Sequence, residues 1–259
     1  MNPVAFSLFG LDVYWYGIIF VLSFVIAYFF MKFLVKERGI HLTNHDIDDF
    51  FLWLIISVLL GARLIYAVVY NFWFFVAEPL HLFYFWEGGL SFHGGLIGAV
   101  IMGLIYCKVK KCKFYDIADI LVIPLALGLM LGRIGNFING ELYGRVTSVS
   151  WAFKFEGAEG FRHPSQIYEC FKNFVIFSIL WTVRKKDWPR GFLFWMFITL
   201  YGVFRFLIEF VRQPDRQIGD YGLFFGWMSM GQILCSVMVV LGVYFLVRLW
   251  KNDKINKYN

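Results

Sequence analysis

One stretch organises this chain: Gly132-Arg133-Ile134-Gly135-Asn136-Phe137-Ile138-Asn139-Gly140-Glu141-Leu142-Tyr143-Gly144-Arg145, which follows an apolar segment of membrane length. Arg133 and Asn136 are three residues apart and therefore share one face of a helix. An arginine costs about 2.5 to 3.5 kcal/mol at the bilayer centre on insertion scales, and less near the edge. A lone arginine at a helix end often reaches back to the headgroups. The amides and the carboxylate that follow Arg133 instead indicate a site for a polar, anionic group at the membrane surface.

The composition is that of a polytopic membrane protein. Hydrophobic residues make up 60% of the 259 residues and charged residues only 16%, whereas a soluble domain has about 25% charged residues. The four cysteines form no CxxC motif, so we interpret them as reduced structural thiols. We expect an all-α fold in which residues 1–259 form a single integral membrane domain, with a small external loop region at about 140–165.

Seven apolar segments are candidates for membrane spans. We place them at about residues 13–31, 50–70, 94–107, 117–133, 166–183, 192–210 and 222–247. Several have uncharged cores shorter than the roughly 20 residues that a clean span needs. Their polar interruptions must therefore face protein or a water-filled cavity.

Lysine and arginine residues orient these spans. They are concentrated in the loops at 32–49, 108–115 and 184–190 and in the C-terminal tail. The positive-inside rule then puts the N-terminus outside and the C-terminus in the cytoplasm. The polar residues that interrupt the spans all fall at outer-leaflet depth, and they are Tyr16, Arg63, His93, Arg133, Asn136, Glu141, Arg205, Glu209 and Arg212. The sequence therefore predicts a site that faces outward.

A histidine stands at the start of the third span, in His93-Gly94-Gly95-Leu96. The glycines beside it let backbone approach closely and leave the imidazole accessible. Gly94 and Gly98 also form a small-xxx-small pair, which can be simple helix packing. A single histidine is more often a structural hydrogen-bonding residue. Because histidine titrates near neutral pH, His93 is nevertheless a candidate general base.

The sixth span carries a polar stripe of Tyr201, Arg205, Glu209 and Arg212 at helical spacing. Arg205 and Glu209 can simply pair with each other. Alternatively, the pair can orient Arg205 toward a phosphate, which suits a planar guanidinium.

Several other chemistries lack their motifs. The seventh span has no lysine for a retinal Schiff base, and the chain has neither GxSxG nor HExxH. We predict no metal site and no cofactor. The alternative from a different class is a lipid or ion transporter, or a receptor, that uses the same arginines to bind a headgroup without chemistry. A transporter should carry polar residues on to the cytoplasmic side, and spans one, four and seven lack them.

Taken together, these motifs resemble the bacterial prolipoprotein diacylglyceryl transferase family. The matching segments follow the family's order along nearly the whole chain: Tyr14-Trp15-Tyr16-Gly17, His93-Gly94-Gly95-Leu96, residues 132–145, His163-Pro164-Ser165-Gln166, and Tyr201-Gly202-Val203-Phe204-Arg205…Glu209…Arg212-Gln213-Pro214-Asp215.

The resemblance implies a reaction, its partners and a location. It implies transfer of the sn-1,2-diacylglyceryl group from phosphatidylglycerol to the thiol of the lipobox cysteine in a prolipoprotein signal peptide. The product is a thioether, glycerol phosphate is released, and this is the first step of lipoprotein maturation. It also implies a multi-pass protein of the bacterial cytoplasmic (inner) membrane, with no nucleic-acid partner.

The resemblance also implies roles for individual residues. Arg133 and Arg205 suit a phosphate whose negative charge grows as it leaves. A free thiol has a pKa of about 8.5, so its attack benefits from a base; His93 is the candidate, with Glu141 or Glu209 as orienting groups or alternatives. The expected catalytic residues are His93, Arg133, Arg205 and Glu141, and the expected phosphatidylglycerol-binding residues are Arg133, Asn136, Asn139, Gly144, Tyr16, Tyr201, Glu209 and Arg212.

Overall fold

The computed structural model describes residues 2–8, 11–213, 223–224 and 228–258, and these residues are mostly helical. The elements in chain order are β1 (Val4–Leu8), β2 (Leu11–Tyr14), α1 (Trp15–Glu37), α2 (Asn44–Tyr70), α3 (Phe72–Ala77), α4 (Phe92–Val109), α5 (Phe114–Asn139), α6 (Ser165–Val183), α7 (Phe192–Glu209), β3 (Leu223–Phe224), β4 (Met228–Ser229) and α8 (Met230–Tyr258). Two short 3-10 helices, Pro79–Phe83 and Phe85–Glu87, connect α3 to α4.

Six helices within the described ranges are long and apolar enough to cross a membrane: α1, α2, α4, α5, α7 and α8 as far as Asp253. The sequence predicts a span over 166–183 as well, and α6 occupies that segment. Its polar side chains make α6 less apolar than the other six helices, so hydropathy alone does not identify it as a span. Those side chains are buried, and they are Gln166, Glu169, Lys172 and Asn173.

Two of the predicted spans begin beside a short hairpin, and there the helix starts later than the sequence predicts. The first span was placed from residue 13, but β1 pairs antiparallel with β2 and α1 begins only at Trp15. The seventh span was placed from Gly222, which lies outside the described residues. The pair β3–β4 follows, and α8 begins at Met230. The all-α expectation therefore holds for the spans and misses the hairpins beside them.

The chain divides into two compact units, Met1–Met31 with Ala118–Asn259, and Lys32–Ile117. In the second unit, α2 and α4 pack along glycines. A methyl group added to Gly94 would overlap the Gly61 carbonyl, and one added to Gly98 would overlap the Ser57 carbonyl. Small residues let the two backbones approach closely, which is how helices associate in lipid. The packing interpretation of Gly94 and Gly98 is confirmed.

In the first unit, α7 is positioned from both of its sides. The Asp119 carboxylate on α5 accepts the backbone N–H groups of Gly191 and Phe194 at 2.7 and 2.8 Å, which satisfies donors at the start of α7. Further along, Gly202 lets α8 approach, because an added methyl group would lie 2.9 Å from Val239 and 3.1 Å from the Cys235 carbonyl oxygen. These contacts fix the helix that carries Arg205 and Glu209.

Candidate functional site

Glu169, on α6, is the centre of a buried ion-pair cluster in the first unit. Its Oε2 lies 2.6 Å from Lys172 Nζ and 3.8 Å from Arg133 Nε, and its Oε1 lies 3.3 Å from Arg205 Nε. Only 4% of the Glu169 side chain is exposed. A buried carboxylate is stable only when it is paired, and here one carboxylate serves three cations from three helices.

Lys172 is the most deeply buried of these cations. Its side chain is 2% exposed, and its ammonium lies 3.7 Å from the centre of the Tyr201 ring. The aromatic face and the Glu169 carboxylate together solvate a charge that would otherwise be costly to bury. Tyr201, predicted to bind substrate, therefore contacts Lys172 directly.

The sequence analysis missed both Glu169 and Lys172. Both residues lie within the predicted span at 166–183, and neither was given a role. A signal was present, because Gln166, Glu169 and Asn173 recur at helical spacing in a helix that is otherwise largely apolar. Such a face must be buried against polar partners.

Glu209, on α7, provides a second buried carboxylate. It forms an ion pair with Arg205, and its Oε2 lies 3.8 Å from Arg212 NH1. The Ser229 hydroxyl donates to Glu209 Oε1 at 3.0 Å. A methyl group added to Gly231 would lie 2.9 Å from the Glu209 carboxyl carbon, so only glycine fits beside it. The predicted Arg205–Glu209 pair is confirmed, and Arg205 lies between two carboxylates.

A chain of hydrogen bonds continues from Arg133 to the end of α5. Arg133 NH1 donates to Asn136 Oδ1 at 3.4 Å, and Asn136 Nδ2 donates to Glu141 Oε1 at 2.9 Å. Asn139 Nδ2 reaches the same Glu141 oxygen at 3.3 Å. Gly140 has a φ of +69°, a conformation that ends a helix and that glycine adopts without strain. The turn at Gly140 thus brings Glu141 back onto the amides of α5.

Tyr16 packs against the same stretch. A methyl group added to Gly135 would lie 2.9 Å from the Tyr16 ring, so the glycine allows α1 to approach α5. Tyr16 remains 39% exposed. It therefore borders the Arg133 and Asn136 face without being enclosed.

Gly144 is buried where the loop after Glu141 meets the end of α7. Its N–H donates to the His163 carbonyl oxygen at 2.8 Å, and the next N–H, of Arg145, donates to the Val211 carbonyl oxygen at 2.9 Å. A methyl group added to Gly144 would lie 2.5 Å from that Val211 oxygen and 2.7 Å from the His163 Cβ. Close backbone packing thus explains why glycine stands here. Its predicted contact with substrate stays a prediction.

His93 belongs to the second unit, in the first turn of α4. It is exposed, and its ring contacts Phe92 edge to face at 5.8 Å between centroids. The N-cap Ser91 accepts the Gly94 N–H at 3.4 Å and fixes the backbone there. Its role as a general base stays a prediction. In the first unit, His163 Nδ1 lies 3.1 Å from the Tyr168 hydroxyl.

The charge balance of the cluster favours an anion. Among the described residues, three cationic side chains lie around Glu169, namely Arg133, Lys172 and Arg205, and Arg205 and Arg212 lie beside Glu209. Arg133 is the most accessible of them, with 24% of its side chain exposed against 12% for Arg205. The guanidinium of Arg133 is therefore the one best placed to contact a ligand.

Comparison with known proteins gives consistent results. A family model described as prolipoprotein diacylglyceryl transferase matches residues 3–248. The chain is 47% identical to the phosphatidylglycerol–prolipoprotein diacylglyceryl transferase of Geobacter sulfurreducens, over 95% of both chains. It is 41% identical to the protein of that name from Oleidesulfovibrio alaskensis, over 98% of this chain and 95% of the relative. For the Aeromonas hydrophila protein of that name, the identity is 41% over 98% of this chain and 93% of the relative.

Proposed function

The chain belongs to the prolipoprotein diacylglyceryl transferase family, and from this premise we propose that its Glu169-centred cluster binds the phosphate of phosphatidylglycerol during the reaction. The protein is a transferase that moves a diacylglyceryl group from phosphatidylglycerol to a prolipoprotein. The observation that supports the phosphate role is that, among the described residues, the cationic side chains around Glu169 and Glu209 outnumber these two carboxylates.

The proposed acceptor is the lipobox cysteine of the prolipoprotein. Its sulfur attacks the sn-3 carbon of the diacylglyceryl group, the bond from that carbon to the phosphate oxygen breaks, and the C–S bond of a thioether forms. The bond electrons leave on the oxygen of glycerol phosphate. The thiol proton goes to a base, for which His93 is the first candidate and Glu141 the alternative. None of the chain's own cysteines lies in a family motif, so direct transfer needs no covalent enzyme intermediate.

Arg133 and Arg205 act on the phosphate in different ways. Arg133 is the more exposed and lies 3.8 Å from Glu169, so it can turn to a ligand with little loss. Arg205 is oriented between Glu169 and Glu209, where its fixed positive charge stabilises the leaving phosphate. Lys172 neutralises Glu169, so that the carboxylate can orient the arginines without repelling the anion.

The amides at the end of α5 suit the glycerol headgroup. Asn136 and Asn139 both donate to Glu141 Oε1, and we propose that the Asn139 amide oxygen and the second Glu141 oxygen accept hydrogen bonds from glycerol hydroxyls. Tyr16 and Tyr201 border this region, and Gly144 keeps the loop that carries Glu141 against the end of α7. Arg212 adds positive charge on the far side of Glu209.

We further propose that α6 also crosses the membrane, which makes seven spans in one integral membrane domain of the bacterial inner membrane. The buried polar face of α6 supports this, because a span of that composition is allowed when its polar side chains face protein. The basic loops support an external N-terminus, a cytoplasmic C-terminus and a site open to the outer leaflet. The loop at 140–165 then lies outside.

The experiment that tests the acceptor chemistry uses phosphatidylglycerol vesicles and a peptide with one lipobox cysteine. We expect the peptide to gain the mass of one diacylglyceryl group, and we expect the product to resist hydroxylamine, which cleaves thioesters but not thioethers. A matched peptide with serine in place of the cysteine should remain unmodified. Modification of the serine peptide, or release by hydroxylamine, would contradict the proposed reaction.

A further inference from the structure

The helices α2 and α4 are level at one end. The Tyr106 hydroxyl donates to the Asp46 carbonyl oxygen at 2.6 Å, and Lys110 Nζ lies 2.6 Å from Asp46 Oδ1. Yet α2 has 27 residues and α4 has 18, which at about 1.5 Å per residue correspond to about 40 and 27 Å. The helix α4 therefore matches the hydrocarbon core of a bilayer, about 30 Å, while α2 is longer than that core.

The difference in length appears entirely at the other end. The Ser91 N–H, just before α4, donates to the Ala62 carbonyl oxygen at 3.0 Å. Residues 63–70 of α2 thus continue past the start of α4 by about 12 Å. A bilayer with its headgroups is about 40–45 Å thick. With a core of about 30 Å, each of the two headgroup layers is about 5–8 Å deep. The overhang of α2, at about 12 Å, is therefore long enough to cross the whole of one headgroup layer.

Arg63 ties the chain between α3 and α4 to this overhang. Its side chain is buried and donates to five backbone carbonyls: His81 at 2.5 Å, Tyr84 at 3.0 Å, Leu82 and Gly89 at 3.3 Å, and Gly88. Its guanidinium also lies 5.0 Å from the Phe75 ring centre. The sequence analysis grouped Arg63 with the polar residues of the predicted site. The structure gives it another task, which is to keep residues 81–89 folded back along α2.

The glycines of this segment permit the close approach. Gly88 and Gly89 have φ values of +81° and +68°, which glycine adopts without strain. A methyl group added to Gly89 would lie 2.5 Å from the Tyr66 ring and 3.0 Å from Arg63 NH1. The segment is therefore packed against the overhang, with its backbone acceptors satisfied by Arg63.

Large apolar side chains cover the outside of the same segment. Trp73 and Trp86 are 78% and 77% exposed, the highest values among the large hydrophobic residues that the structure describes. Residues 71–92 contain no lysine or arginine, whereas the level end of the pair carries the basic loop at 108–113. Exposed tryptophans at headgroup depth are typical of the interfacial aromatic belt.

We propose that residues 72–86 form an interfacial arm that lies in the outer headgroup layer, with Trp73 and Trp86 in contact with phospholipid and Arg63 as its positioning residue. The arm is thus a lipid-contacting surface and not an aqueous loop. This inference rests on the dimensions and contacts of the second unit and does not depend on the chemistry of the Glu169-centred cluster.

Depth-dependent quenching tests the arm directly. In a full-length chain with its native cysteines replaced, Trp73→Cys and Trp86→Cys would carry a bimane label in phosphatidylglycerol–phosphatidylcholine vesicles. We expect quenching by lipids with a doxyl group near the headgroup to exceed quenching by lipids labelled deep in the acyl chain and by aqueous iodide. Ile101→Cys, on the middle of α4, should respond mainly to the deep quencher, and Lys111→Cys to iodide. Iodide quenching of Trp73→Cys and Trp86→Cys at the level of Lys111→Cys would overturn the proposal.

A second measurement avoids replacement of the native cysteines. With a benzophenone amino acid at position 86 of the otherwise unchanged chain, irradiation in vesicles should give covalent phospholipid adducts. Their absence, while the same group at position 101 gives adducts, would equally overturn the proposal.

Arg63→Lys tests the positioning role. Lysine retains the charge but has only three donors on one atom, so it cannot bind five carbonyls. We expect the label at position 86 to lose its shallow quenching and gain iodide quenching by at least about twofold, with Arg38→Lys in the basic loop as the matched control. An unchanged quenching profile in Arg63→Lys would show that Arg63 does not position the arm.

Discussion

Glu169 Oε1 and Arg205 Nε lie 3.3 Å apart and join α6 to α7. Because Arg205 also pairs with Glu209, its guanidinium is oriented by two carboxylates from two different helices. The loss of one partner of a buried pair leaves an uncompensated charge, which costs more than the pair itself contributes. The relationship therefore predicts that α6 affects activity through the orientation of Arg205 and Arg133.

Glu169→Gln keeps the shape of the side chain and removes its charge. We expect the diacylglyceryl transfer rate to fall by about 100-fold or more, and the thermal midpoint to fall as well, because Lys172, Arg205 and Arg133 lose their shared carboxylate. Activity and thermal unfolding in detergent measure the two effects. The exposed Glu156→Gln is the matched control and should behave as wild type.

The double variant Glu169→Gln/Lys172→Met separates stability from activity. Removal of the unpaired lysine should restore much of the lost thermal midpoint, since neutral side chains can replace a buried pair without large cost. Activity should stay low, because Arg205 and Arg133 still lack their orienting carboxylate. Recovery of activity together with stability would mean that Glu169 has only a structural role.

Alanine substitutions at two glycines of the stretch 132–145 are predicted to have very different effects on transfer activity. Gly144→Ala would place a methyl group against Val211 and His163 and should displace the loop that carries Glu141, with loss of about 100-fold or more in transfer. Gly132→Ala meets no atom within 4 Å and should retain nearly full activity. Transfer assays on both purified variants give the comparison. Equal activities would show that packing at Gly144 is unimportant.

The packing of α2 against α4 gives a prediction that concerns the stability of the protein and not its activity. Gly98→Ala would overlap the Ser57 carbonyl and should destabilise the second unit by about 1–3 kcal/mol, the usual cost of overpacking. Gly17→Ala, also within a predicted span, meets no atom within 4 Å and serves as its control. Thermal unfolding of the two variants should therefore differ, with the lower midpoint for Gly98→Ala.

The identity of the base is tested by two histidine variants. If His93 accepts the thiol proton, His93→Asn should reduce transfer by about 10²- to 10⁴-fold and change the wild-type pH dependence of the rate, because only peptide thiol that has already ionised can then attack. His163→Asn removes a hydrogen bond to Tyr168 and should leave that pH dependence in place. A normal pH profile in His93→Asn would move the role to Glu141.

The extent to which the sequence predicts this molecule depends on the distance between partners along the chain. The Arg205–Glu209 pair follows from four-residue helical spacing, and the spans follow from hydropathy. The pairing of Glu169 with Arg205 joins residues on separate helices, and no periodicity within one helix indicates it. The seventh span is predicted from about residue 222, whereas α8 begins at Met230, because an apolar run does not distinguish a helix from the strands β3 and β4 that precede it.

Arg63 also shows which properties of a residue the sequence predicts and which it does not. The sequence predicts that Arg63 faces protein or a water-filled cavity, and its side chain is indeed buried, but its partners were not predicted. They are backbone carbonyls of a later loop, and backbone acceptors leave no signature in a sequence. A buried charge predicts that partners exist, while the fold decides which they are.

The most direct test of the phosphate role is the rate of transfer of labelled diacylglyceryl from phosphatidylglycerol to the lipobox peptide as the lipid concentration is varied. Wild type, Arg133→Ala, Arg133→Lys and Arg205→Ala would be compared, with Arg38→Ala as the control. We predict that both alanine variants lose about 10²- to 10³-fold in transfer. Arg133→Lys should be intermediate, because it keeps the charge but not the planar fork. Transfer at the wild-type rate by Arg133→Ala and Arg205→Ala, at every lipid concentration, would contradict the account.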